Sequence, residues 1–136
     1  MATRSCSISI AKLMAAKTSS LVAFAHVASV ERSIKFYADL GFTVLNRVVP
    51  DGQSAPVWAW LESGKANLMV GLASAAIDAS QQAVLFYLYY EDIRQTHAAL
   101  AELGHQPGEI KYPFYMPGGE FRLEDPDGYV LMLAQI

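Results

Sequence analysis

Val30-Glu31-Arg32-Ser33-Ile34-Lys35-Phe36-Tyr37-Ala38-Asp39-Leu40-Gly41 reads as a helix with its stop, and the chain writes it again as Ile93-Arg94-Gln95-Thr96-His97-Ala98-Ala99-Leu100-Ala101-Glu102-Leu103-Gly104. Val30, Ile34, Tyr37 and Leu40 fall at helical spacing, as do Ile93, His97, Leu100 and Leu103. Each copy ends on a glycine, the residue best suited to the left-handed turn that closes a helix. Val30 to Ile93 and Gly41 to Gly104 are both steps of 63 positions. The same step carries Glu62-Ser63-Gly64 onto Asp125-Pro126-Asp127, and the run from Asn67 to Val70 onto Val130 to Leu133. A repeat of this length means one supersecondary unit used twice, and two such units enclose a cleft where a small molecule can bind.

Working outward, Leu21 to Val27 alternates around small residues and predicts a strand, with Ser29 as helix N-cap. Thr43 to Val49 is rich in β-branched residues and predicts a second strand. Val57 to Glu62 and Ala66 to Leu72 predict a hairpin across Ser63-Gly64-Lys65. Residues 73–82 are small and polar and read as a linker. The second half repeats the order: strand at Val84 to Tyr90, helix at Glu91 to Leu103, short strand at Glu109 to Tyr112. A hairpin of Glu120 to Glu124 and Tyr129 to Gln135 closes it. The expected fold is α+β: two βαβββ modules (about 21–72 and 83–136) whose curved mixed sheet forms half-barrels around a cleft, with helices on the convex face.

Composition narrows the function classes. The chain has 136 residues, 53% of them hydrophobic, enough for one domain with a real core. A net charge of −3 offers no broad basic surface for nucleic acid. The apolar runs fall short of the ~20 residues a membrane-spanning helix needs. Cys6 is the lone cysteine, which excludes an internal disulfide and suits a reducing cytoplasm. Residues 1–20 form a separate N-terminal extension, with Arg4, Lys12 and Lys17 and no acid. Three readings fit it: a transit-peptide-like leader, an extension upstream of a start at Met14, or an arm packed on a partner subunit.

The stretch from Phe24 to Phe42 resembles the first helix region of the vicinal oxygen chelate superfamily, which includes glyoxalases, extradiol dioxygenases and bleomycin resistance proteins. Glu120-Phe121-Arg122-Leu123-Glu124-Asp125-Pro126-Asp127-Gly128-Tyr129 resembles its last hairpin. The resemblance spans about residues 21 to 136. It implies a divalent metal held by His and Glu on the first and last strand of each unit. Counting onto this chain, the first-strand position lies five residues before Val27 and the last-strand position seven after Asp125. Those positions, with their repeats, are Val22, Met69, Leu85 and Met132. None suits a hard divalent cation, which takes carboxylate or imidazole, so no metal and no cofactor is expected. The remaining histidines do not replace them: His97 lies on the helix, and His105, after a helix stop, is expected to be exposed.

With those four positions pointing inward, strand alternation assigns the concave face. It holds Val22, Phe24 and His26; Leu85, Tyr87 and Tyr89; Glu120, Arg122 and Glu124; and Val130, Met132 and Ala134. Carrying Glu120 and Arg122 back by 63 gives Val57 and Ala59, which sends Trp58 and Trp60 to the convex side. The expected ligand-binding set is Phe24, His26, Met69, Tyr87, Tyr89, Phe114, Tyr115, Glu120, Arg122 and Met132, with the loop from Pro113 to Gly119 as a flap. Phe24, Tyr87 and Tyr89 suit stacking on a planar ligand. Arg122 suits a carboxylate or phosphate. Glu120 suits either Arg122 or a ligand cation. His26 is the group there that titrates near neutrality, and so the candidate base.

The chain therefore reads as a metal-free, homodimeric, cytoplasmic binding protein. It would sequester a partly aromatic small molecule, with neither nucleic acid nor membrane as partner. The alternative reading is a metal-independent lyase or isomerase using His26 and Arg122. Behind it stands a metal-dependent enzyme of glyoxalase or dioxygenase type.

Overall fold

The computed structural model describes residues 16–136. Cys6, Met14 and most of the N-terminal extension lie outside the described residues. The first unit runs β1 (Ala23–Val27), α1 (Val30–Ala38), β2 (Thr43–Val48), β3 (Trp58–Ser63) and β4 (Ala66–Leu72). The second runs β5 (Leu85–Tyr90), α2 (Ile93–Glu102), β6 (Glu120–Glu124) and β7 (Val130–Gln135). A short 3-10 turn at Ala79–Gln81 sits in the linker.

The helix boundaries follow from side-chain chemistry. Ser29 Oγ accepts the amide of Arg32 at 3.2 Å, and Asp92 Oδ1 accepts that of Gln95 at 3.1 Å. At the other end, Gly41 (φ 99°) and Gly104 (φ 95°) turn left-handed. That turn lets Phe42 N reach Tyr37 O at 2.9 Å and His105 N reach Leu100 O at 3.0 Å. The two closures lie 63 positions apart, so the repeat extends to individual hydrogen bonds.

The strands form two mixed sheets, ordered β1-β4-β3-β2 and β5-β7-β6. In each, the first strand pairs parallel with the last, and the last pairs antiparallel with the strand before it. The predicted strand at Glu109 to Tyr112 is reduced to a single bridge between Lys111 and Glu120. Pro107 and Pro113 flank it, and proline supplies no amide to a ladder.

One face of each sheet meets the helices in a common core. Ala25, Val27, Ala59, Leu61 and Val70 contribute from the first sheet, and Phe121, Leu123, Leu131 and Leu133 from the second. Tyr37, Leu40, Ile93 and Leu100 fill it from the helices and their ends.

Polar ties across the units centre on the Asp125-Pro126-Asp127-Gly128 turn. Tyr37 Oη donates to Asp125 Oδ2 at 2.7 Å. Asp125 Oδ1 accepts the amides of Asp127 and Tyr129, each at 2.9 Å. Asp127 Oδ1 accepts the Ala28 amide at 2.9 Å and Arg32 Nη2 at 3.3 Å. Burial holds the Asp125 carboxyl above its ordinary range and, reinforced by that carboxyl, raises the Tyr37 phenol strongly. Tyr90 Oη donates to Leu40 O at 2.8 Å, and burial lifts its phenol to about 12. His105, expected to be exposed, is half-buried with Nε2 at 2.8 Å from Asp39 Oδ2, a further tie between the helix ends.

Candidate functional site

The faces turned away from the core carry the candidate site. On the first sheet Phe24 lies opposite Met69, and Met69 opposite Trp60. Residues directly opposite share a face, so these three side chains form one row. Alternation adds His26 and Trp58. The Phe24 and His26 rings sit 5.1 Å apart, tilted at 53°. Gly71 makes room for Phe24: a Cβ on Gly71 would lie 2.4 Å from the ring's Cζ. Trp60 is pinned by its indole N–H, which donates to Asn67 Oδ1 at 2.9 Å.

This overturns the expected placement of the two tryptophans on the convex side. Trp60 and Arg122 each stand opposite a methionine of the repeat, Met69 and Met132, but they lie 62 positions apart, not 63. The hairpin register slips by one residue between the units. A one-residue slip exchanges the faces of a strand, so Ala59 and Leu61 enter the core and the indoles face outward.

On the second sheet the rows are Leu85–Val130–Glu124, Tyr87–Met132–Arg122 and Tyr89–Ala134–Glu120, as the alternation predicts. Tyr87 and Tyr89 stack at 6.2 Å and 27°. Glu120 is only 5% exposed. It accepts hydroxyls from Tyr87 at 3.4 Å and from Tyr115 at 3.3 Å. The Tyr87 phenol is pushed up by partial removal from water and by Glu120; that of Tyr115 is pushed up first by the Glu120 charge. Arg122 does not pair with Glu120 but reaches Glu124 Oε1 at 2.8 Å, with both side chains well exposed. The loop from Pro113 to Gly119 places Phe114 against Tyr115, edge to face at 5.5 Å, and leaves Phe114 95% exposed.

The single chain thus groups the expected residues into two sets. Phe24, His26 and Met69 share one sheet, now with Trp58 and Trp60. Tyr87, Tyr89, Glu120, Arg122 and Met132 share the other, with Phe114 and Tyr115 beside them. A recess of about 230 Å³ between the sheets is lined by Ala23, Phe42, Asn67, Leu68, Leu85 and Tyr87. Much of both faces stays open: Phe24, Leu85 and Tyr89 are each 46–57% exposed.

The metal positions can be tested against this register. Met69 pairs with Phe24 and Met132 with Tyr87. Moving the first-strand positions from Val22 and Leu85 by two residues brings in Phe24 and Tyr87, again without carboxylate or imidazole. Thioethers, hydrocarbons and phenols do not fit a hard divalent cation. Among the described residues no group of three or more His, Cys, Asp or Glu side chains is arranged to hold a metal. His97 is engaged elsewhere, with Nε2 2.9 Å from Gly108 O and its ring edge-on to Phe121.

A βαβββ unit and a second unit of the same order whose middle strand is reduced to a bridge, each presenting an open strand face, define the class: a paired-module α+β domain. The chain belongs to the Glyoxalase/Bleomycin resistance protein/Dioxygenase superfamily, whose profile matches residues 21–133. No curated protein sequence matches it. Among solved structures, it is similar to a bleomycin resistance determinant encoded on the transposon Tn5, with a TM-score of 0.71 at 20% identity over 87% of this chain and 98% of that one. A bleomycin-binding protein complexed with bleomycin gives 0.70 at 20% identity, over 88% and 99%. TnmS3, an antibiotic-binding protein from Streptomyces sp. CB03234, gives 0.67 at 21%, over 89% and 98%. At these identities the likeness concerns the fold.

Proposed function

We propose that this chain is a small-molecule-binding protein of glyoxalase/bleomycin-resistance type, which holds a partly aromatic ligand between its open sheet faces without a metal. The observation that carries the reading is the make-up of those faces. Phe24, Trp58, Trp60 and Met69 on one sheet and Tyr87, Tyr89 and Met132 on the other are apolar or aromatic and incompletely buried. Apolar surface interrupted by a few polar groups is the usual character of a ligand site. The fold neighbours that bind bleomycin or another antibiotic support the same reading.

The protein works as a homodimer in this proposal. Exposed Val48 adds to the open face of the first sheet, with exposed Phe114 and Tyr115 beside the second, and so much apolar surface calls for a partner. A second copy would turn two open faces into a closed cleft. No helix among the described residues is long and apolar enough to cross a membrane, and we place the protein in the cytoplasm. The lyase or isomerase alternative gains no support at His26, whose exposed ring has no side-chain hydrogen bond among the described residues to orient it as a base.

A thermal-shift screen with bleomycin and planar aromatic compounds tests the reading. Trp60→Ala and Tyr87→Ala should each abolish the shift of any hit while leaving a folded protein; full retention in both variants sinks it. Metal analysis of dialysed protein tests the second element, since stoichiometric nickel, iron, manganese or zinc would overturn the metal-free state. Sedimentation at tens of micromolar should show a dimer.

A further inference from the structure

Glu120 is the anomaly of the open face. Its side chain is nearly buried, yet among the described residues it has no ion-pair partner. Arg122, two residues on and on the same face, is paired with Glu124. Lys111, opposite Glu120 across the bridge, is exposed and not within ion-pair distance. What Glu120 has instead is two phenol hydroxyls at 3.3 and 3.4 Å, long for a hydroxyl on a carboxylate, where about 2.5–2.7 Å is usual. A buried carboxylate without a counter-charge carries a desolvation cost that weak hydrogen bonds do not offset.

The surroundings indicate what would offset it. Tyr87, Tyr89 and Tyr115 rim the carboxylate with aromatic faces and edges, and aromatic faces attract cations. A carboxylate with an aromatic rim is the chemistry that recognises an ammonium or amidinium group. It disfavours an anion, and Arg122, already matched by Glu124, does not reverse that sign.

We propose, resting on the cleft reading above, that the ligand is a cationic aromatic molecule whose positively charged nitrogen docks on Glu120, displacing one of the loosely held tyrosine hydroxyls. Glu120 is then the residue that sets specificity for charge, while the aromatic rows supply most of the contact.

The test uses three indoles of similar body and different charge: tryptamine, neutral tryptophol and indole-3-acetate. Affinities are measured by calorimetry on the full chain. The expected order is tryptamine tightest, by about tenfold over tryptophol, with indole-3-acetate weakest. Glu120→Gln, a near-isosteric change whose folding is checked by melting, should bring tryptamine to within about threefold of tryptophol and leave tryptophol unchanged. Tyr115→Phe provides a second arm that leaves the carboxylate in place. It removes a competing hydroxyl and should tighten tryptamine severalfold.

Equal binding of all three indoles overturns the charge inference and leaves the cleft reading standing. Binding of none overturns the cleft reading and this inference with it. If the tryptamine preference persists in Glu120→Gln, the counter-charge of Glu120 lies elsewhere (on Lys111 or on a second copy) and the inference is wrong. If Glu120→Gln does not fold, a Tyr115→Phe protein with an unchanged or weakened preference overturns it.

Discussion

Replacing Tyr37 by Phe removes one oxygen atom from the seam between the two units. Tyr37 is 1% exposed, so water cannot take the place of its hydroxyl on Asp125 Oδ2, 2.7 Å away. A hydrogen bond to a charged acceptor contributes about 1.5–3 kcal/mol, and stranding the buried acceptor adds to the loss. Asp125 keeps its two amide bonds through Oδ1, which limits the damage. The expected cost is therefore about 2–3 kcal/mol at neutral pH, or roughly 6–12 °C in Tm for a chain of this size.

The effect carries a pH signature. Burial raises the Asp125 carboxyl, while the Tyr37 hydrogen bond pulls it down. The native state therefore holds the Asp125 proton more tightly than the unfolded chain does. The cost of the charged form appears as pH rises through the raised value, and the Tyr37 hydroxyl offsets part of it. In Tyr37→Phe the carboxyl rises further, so the gap between the two proteins should be full at pH 7.5 and shrink towards pH 4. Urea unfolding followed by tryptophan fluorescence at both pH values measures it. A gap below about 0.5 kcal/mol at pH 7.5, the scale of an ordinary surface change, or one that does not vary with pH, would refute the reasoning.

Alkaline titration gives an independent check on the same seam. Tyr37 and Tyr90 are both raised by burial, so the native state loses these protons later than the unfolded chain and stability should fall above about pH 10. Tyrosinate absorbance should show both still protonated in the native protein at that pH; full ionisation of all seven tyrosines before unfolding would contradict this. Gly71→Ala drives a methyl into the Phe24 ring and should cost about 1–3 kcal/mol, with any aromatic-ligand shift lost; an unmoved Phe24 in a crystal structure of the variant would count against it. Asn67→Ala frees the Trp60 indole N–H, so the emission should shift to the red and ligand affinity drop severalfold, whereas an unchanged spectrum would mean the hydrogen bond does not hold the ring.

Helices and strands were legible in the sequence because their signals are local. Apolar spacing, the Ser29 cap and the two stop glycines each act within one turn of chain. The repeat then fixed which strands are equivalent, and alternation placed Phe24, Tyr87, Met132 and Arg122 correctly. It failed at Trp58 and Trp60. The repeat distance holds at the helices and last strands but slips by one in the hairpins, and turn geometry, not composition, sets that slip. Clear alternation in Trp58-Ala59-Trp60-Leu61 was visible; which pair faces the core was not, because both pairs are apolar.

The linear order of residues thus determined the two-unit architecture and the greasy character of the positions where relatives are expected to bind metal, since both follow from residue type at a counted place. Three-dimensional packing decided who partners whom: Arg122 with Glu124, His105 with Asp39, Tyr37 with Asp125, and Glu120, among the described residues, with no cation. Arg122 and Glu124 are neighbours on one strand, but the other two pairs are far apart in sequence and meet only once the two sheets pack on their shared core. A carboxylate that meets no cation among the described residues is a fact about space, and no spacing along the chain announces it.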